Sequence, residues 1–152
     1  MRAGVRLGVD VGRSRVGVAR SDREGLLATP VETLARDSAL ERLTAIVTEL
    51  EAVELIVGLP LSLSGGDTPS TADARSFAAD LAARTRVPVR LVDERLSTVS
   101  AQRELHRSGR SVRSSRAVID QAAAIIILQN ALDSERASGR PPGAPLHPDE
   151  GS

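Results

Sequence analysis

Two short, largely apolar runs, VELIVGLP (53–60) and VPVRLVDE (87–94), restrict the fold of this chain more than any other feature. Each has the length of one strand and lacks the alternation of a strand with one wet face, so both are predicted to be buried on two sides. Helical patterns precede each of them. In SALERLTAIVTELE, residues Leu40, Leu43, Ile46, Val47 and Leu50 follow helical spacing, and Ser38 with Glu41 predicts a capping box. Ahead of the second run, Thr68 as N-cap and Pro69 at the first helical position start a helix whose core face is Ala74, Phe77, Ala78 and Leu81. Strands joined by such a crossover lie parallel.

The N-terminal third has a different pattern. VRLGVDV (5–11), VGVAR (16–20) and LLATPVET (26–33) are separated by GRSR and SDREG, turn signals that predict an antiparallel meander. After the second buried run come a short helix over 98–107, stopped near Gly109, and a long one over 115–137. The expected fold is α/β, with a five-stranded mixed sheet, three antiparallel strands then two parallel, flanked by helices. Residues 1–138 form one domain, and the proline- and glycine-rich segment 139–152 is expected to be a disordered tail.

Composition excludes several classes of protein. With no cysteine there is neither a disulfide framework nor a thiolate metal site. No run of about 18 apolar residues suggests a membrane span, and no apolar N-terminal segment suggests secretion, so a cytoplasmic location is expected. Net charge is zero, so affinity for nucleic acid has to come from a local patch. Phe77 is the one aromatic residue, which argues against modules that stack single-stranded bases on several rings and favours contact through backbone and shape.

Three acids stand in unfavourable surroundings. Asp10 lies inside an apolar strand and precedes a glycine turn, Glu94 follows Asp93 at the end of a buried strand, and Asp120 opens the apolar helix IDQAAAIIILQNAL. A buried carboxylate costs several kcal/mol unless it is paired. In an open mixed sheet the carboxyl ends of the parallel strands form the site, and Asp10 and Glu94 both fall there. Carboxylates converging from distant parts of the chain need a cation, and oxygen ligands without histidine or cysteine suit Mg²⁺ or Mn²⁺. The bland alternative is that Asp10 caps its turn, Glu94 pairs with Arg95, and Asp120 is a charge favoured at a helix start.

Four stretches, LGVDVGRSRVGVARSD, IVGLPLSLSGGDTPS, VDERLSTVSAQREL and IDQAAAIIILQNALD, resemble in content and order the motifs of the YqgF/RuvX family of RNase H-like proteins. The resemblance covers about residues 5–133. It implies an RNase H-like fold and a nuclease processing the 5′ end of pre-16S rRNA, with Holliday junction resolvase as the rival description of the same family. By motif, Asp10 resembles the metal ligand of the first strand, Glu94 the acid of the Asp-Glu-Arg motif, and Asp120 the acid of the last helix. Ser97 and Thr98 stand where the family usually has two threonines, so a hydroxyl is kept. The stretch before Asp120 carries arginine where relatives commonly carry lysine.

Between Ser97 and Ile119 the arginines Arg103, Arg107, Arg110, Arg113 and Arg116 face a single acid, Glu104. Together with Arg95, and with Arg13 and Arg15 of the glycine turn, they are candidate phosphate contacts beside the acids. A solvated arginine surface and a plain hairpin turn are the alternatives. His106 and His147 are too isolated for a metal or catalytic dyad. The expected activity is a divalent-metal-dependent endonuclease in which Asp10, Glu94 and Asp120 hold the metal. Its expected partner is a structured RNA precursor or branched DNA, with no membrane partner, and a homodimer is compatible with it. A non-catalytic RNA-binding assembly module is the remaining alternative, since an actin-like ATPase needs two such domains.

Overall fold

The computed structural model describes residues 2–94 and 112–146, with 112–120 given by their helical backbone. Strands β1 (Arg6–Val11), β2 (Arg15–Ser21) and β3 (Ala28–Ala35) form the meander. Helix α1 (Arg36–Leu50) leads into β4 (Glu54–Leu59), and α2 (Pro69–Thr85) into β5 (Val89–Asp93). A long helix, α3 (Val112–Ser138), precedes β6 (Ala144–Pro145). The short helix expected over 98–107 lies outside the described residues.

The sheet runs β3-β2-β1-β4-β5-β6, with β1, β4 and β5 parallel and the other pairs antiparallel. It has six strands rather than the five expected. The sixth comes from the proline-rich segment placed beyond the domain by its composition, where Ala144 and Pro145 pair with Leu91 and Arg90. An edge strand tolerates a proline because its outward side needs no N–H. Leu146 adds a backbone bond to the Val89 carbonyl at 2.9 Å.

Helix α1 also departs from expectation at its start. Ala35 is the N-cap and makes no side-chain cap bond, while Ser38 sits inside the first turn. The predicted Ser38–Glu41 capping box is therefore absent. A tertiary contact takes over, as the Arg36 N–H donates to the Ser14 carbonyl of the β1–β2 turn at 2.9 Å. Helix α2 begins as expected at Thr68 and Pro69, with Thr71 completing its capping box.

Side-chain alternation divides the core into two layers. Leu7, Val9, Leu55, Val57 and Leu91 pack with α1 and α2 on one face, and Ala19 and Ile56 meet Ala123, Ala124, Ile127 and Leu128 of α3 on the other. Gly8 allows α3 to approach β1 closely. A Cβ there would lie 2.6 Å from Leu128 Cβ and 2.8 Å from the Ala124 carbonyl oxygen. Glu135, farther along α3, reaches Arg6 at the start of β1, so α3 runs antiparallel to β1.

Candidate active site

Asp10 is the fifth residue of β1 and shares its face with Gly8, the face that α3 covers. It is 4% exposed. Glu94, directly after β5, is 5% exposed. The strands carrying these acids flank β4 and lie two inter-strand spacings, about 9–10 Å, apart, with Glu94 two residues beyond Val92, the β5 residue level with Gly58 and Asp10.

Gly58 of β4 lies between them. Val9 pairs with Val57, and one further step of that register sets Gly58 beside Asp10. A Cβ at Gly58 would stand 3.7 Å from the Glu94 carboxylate oxygen Oε2 and 2.6 Å from Ile127 Cδ1. The absent side chain leaves room for the Glu94 carboxylate to turn back over β4 toward the strand of Asp10.

Asp120 lies within α3, one turn ahead of Ala124. Ala124 is level with Gly8, and about 6 Å of helix leads back from Ala124 to Asp120, matching the rise of about 6.6 Å from Gly8 to Asp10. The helix backbone thus brings position 120 to the level of Asp10. Among the described residues no three His, Cys, Asp or Glu side chains form a complete metal site. Asp10 and Glu94 are a pair of buried oxygen donors with a gap at Gly58 between their strands, a donor set that fits a hard divalent cation.

The turn after Asp10 is braced from outside. Gly12 N–H donates to the Arg15 carbonyl at 2.9 Å, and a Cβ at Gly12 would fall 2.6 Å from that same oxygen. Arg36 reaches the Gly12 carbonyl at 2.9 Å, binds both carboxylate oxygens of Asp73, and lies 4.9 Å from the centre of the Phe77 ring. The guanidinium bonds hold the Asp73 carboxyl below the usual carboxylate range, and Asp73 in turn raises Arg36. No local sequence signal links Arg36 to Asp73, because the pair joins α1 to α2.

Of the expected phosphate contacts, Arg13 is exposed at the turn and Arg15 is half-buried at the start of β2. Arg113 and Arg116 belong to the first turns of α3. Arg95, Arg103, Arg107 and Arg110 lie outside the described residues, as do His106 and His147. The structural role of Gly58 was not anticipated, although its position inside the run VELIVGLP was a readable signal.

Comparison with known proteins gives concordant matches. The model of the RuvX family, described as Holliday junction resolvase, matches residues 4–134. A protein of Clavibacter michiganensis subsp. michiganensis named "Putative pre-16S rRNA nuclease" is 61% identical over 148 residues, covering 95% of this chain and 92% of its own. One of the same name from Streptomyces coelicolor is 56% identical, covering 94% of this chain and 88% of its own. Among solved structures, T. thermophilus RuvC in complex with a Holliday junction substrate superposes with a TM-score of 0.57 at 16% identity, over 94% of this chain and 99% of that one. This last likeness bears on the fold, which is RNase H-like.

Proposed function

The chain belongs to the RuvX family of nucleases, and from that premise we propose that it is a divalent-metal-dependent endonuclease that processes the 5′ end of pre-16S rRNA in the cytoplasm. The observation that carries this reading is the pair of buried carboxylates, Asp10 and Glu94, directed to one sheet face around the gap at Gly58. The name shared by relatives of 56–61% identity supports the RNA substrate.

In this reading Asp10, Glu94 and Asp120 hold Mg²⁺ or Mn²⁺. When bound, such an ion would activate a water and stabilise the charge that develops on the attacking and leaving oxygens. The carboxylates act as ligands, so they must stay ionised. The braced turn offers Arg13 and Arg15 to the phosphate backbone, and Arg95, Arg103, Arg107, Arg110, Arg113 and Arg116 are further candidate contacts by their place in the sequence.

A second reading, cleavage of a four-way DNA junction, is favoured by the description of the family model. One experiment separates the two. Labelled precursor rRNA and a synthetic four-way junction are incubated with wild type and Asp10→Asn across a titration of Mg²⁺ and Mn²⁺. The proposal expects metal-dependent cleavage of the RNA and its loss in the variant. Junction cleavage without RNA cleavage selects the second reading. Undiminished cleavage by Asp10→Asn removes the acid site from the mechanism, and RNA binding without cleavage at any metal concentration indicates a non-catalytic assembly module.

A further inference from the structure

A pocket of about 250 Å³ opens between β5 and α3, with Glu94 on its wall. Helix α3 contributes the buried Ile127 and Ala131 and, one turn apart, the exposed Asn130 and Ser134. Strand β5 contributes Val92. Pro142 and Gly143 close the opposite side.

That outer wall is held in place. The Arg90 guanidinium donates to the Pro142 carbonyl and, at 3.2 Å, to the Gly143 carbonyl. Gly143 has φ +61° and approaches β5 so closely that a Cβ would fall 2.1 Å from the Leu91 carbonyl oxygen. Only glycine fits there. Among the described residues, by contrast, the Asn130 amide and the Ser134 hydroxyl have no hydrogen-bond partner within the chain.

We propose that this pocket receives one unpaired nucleobase of the strand being cut, next to the phosphate at the acid site. The proposal rests on the nuclease reading and deepens it. The volume lies just below the range of about 300–1,000 Å³ typical of drug-sized ligands, which suits a single flat ring system. Val92, Ile127 and Ala131 supply apolar surface for the faces of the base. Asn130 presents a donor and an acceptor together, the pairing that a base edge needs, and Ser134 adds a hydroxyl. Since Glu94 belongs both to the pocket and to the acid site, a base seated here keeps its own sugar-phosphate beside the carboxylates. Base contact is thereby open to a chain whose one aromatic ring, Phe77, is buried in the other core layer.

The test uses Asp10→Asn protein, so that binding is read without cleavage, and short single-stranded RNAs in which one abasic site is moved a nucleotide at a time. DNA counterparts form a second arm. One abasic position is expected to weaken binding about tenfold while its neighbours change little, and 2-aminopurine at that position is expected to change fluorescence on binding. Adding Asn130→Ala, or Ser134→Leu to fill the mouth, is expected to weaken binding of the intact strand by a similar factor and to abolish the abasic effect. Both side chains are exposed on α3, and thermal melting checks that each variant is folded.

A flat abasic scan, variants that bind like their parent, or a parent that binds neither strand overturns the proposal. RNA cleavage by wild type alongside a flat scan removes the pocket and leaves the nuclease reading standing. A position-specific loss in a protein that cleaves nothing supports the pocket and removes the nuclease reading. A position-specific loss on DNA alone supports the pocket and assigns its base to a DNA strand.

Discussion

Arg36 donates two hydrogen bonds of 2.8 Å to the carboxylate of Asp73, and the same guanidinium binds the Gly12 carbonyl two residues after Asp10. Through this one side chain α2 fixes the turn that follows the first acid. Arg36→Ala is expected to cost about 1–2 kcal/mol, mostly from the lost stack on Phe77 and the stranded Gly12 carbonyl, because the ion pair is partly exposed and screened. Cleavage is expected to fall further than stability alone explains, since a loosened turn displaces Asp10, Arg13 and Arg15 together. Arg36→Lys keeps the charge but cannot make the two-pronged bond, so it is expected to recover stability better than rate. Kinetics at a temperature where each variant is fully folded check this.

Two glycines beneath α3 predict different outcomes for the same change. At Gly8 an added Cβ meets Leu128 Cβ and the Ala124 carbonyl, so the helix backbone itself has to move. At Gly58 the nearest atom is Ile127 Cδ1, the far end of a flexible side chain. Gly8→Ala is therefore expected to destabilise by about 3 kcal/mol or more and Gly58→Ala by about 1–2 kcal/mol. Activity should rank the other way relative to stability. Gly58→Ala narrows the space by the Glu94 carboxylate, so it is expected to raise the metal concentration needed for cleavage even where the fold is intact. Denaturant unfolding and metal titration of both variants separate the two effects.

What the sequence made legible divides by the range of the interaction. The antiparallel meander and the parallel pair β4 and β5 follow from turn signals, apolar runs and crossover rules, and the buried positions of Asp10 and Glu94 follow from the strands that hold them. Strand β6 could not be read, because two residues in a proline-rich segment carry no periodicity and acquire strand geometry only against the edge of β5. Ser38 and Glu41 had the pattern of a capping box, yet the Ser14 carbonyl, distant in sequence, supplied the partner and moved the helix start to Arg36. The bracing by Asp73 and the pocket wall at Gly143 are likewise tertiary. The level of position 120 along the sheet follows from helix register, one turn ahead of Ala124.

At the amino end of β1, opposite the acid site, Arg6, Glu54 and Glu135 are buried together and Arg2 covers them. Arg2 contacts Glu135 at 2.6 Å and Glu54 at 3.0 Å, while Arg6 lies 3.6 Å from Glu135 and 3.8 Å from Glu54. The hydrogen bonds from Arg2 hold the Glu135 carboxyl below its ordinary value. A group depressed on folding contributes stability that is fully present above its unfolded pKa of about 4.3 and disappears as pH falls through the folded value. Glu135→Gln removes that contribution and leaves Arg6 buried with one counter-charge fewer, so it is expected to cost about 3 kcal/mol at neutral pH. Its stability should also fall less steeply than that of wild type as pH is lowered from 5 toward 3. Arg2→Ala leaves the buried Glu54 and Glu135 carboxylates to Arg6 alone, so although Arg2 itself is half-exposed it should also cost about 2–3 kcal/mol. Urea unfolding at a series of pH values measures both. Cleavage at a temperature where Glu135→Gln is folded should match wild type, because this cluster anchors α3 at the end of the sheet away from Asp10; a loss of rate there would instead show that the anchor sets the position of Asp120.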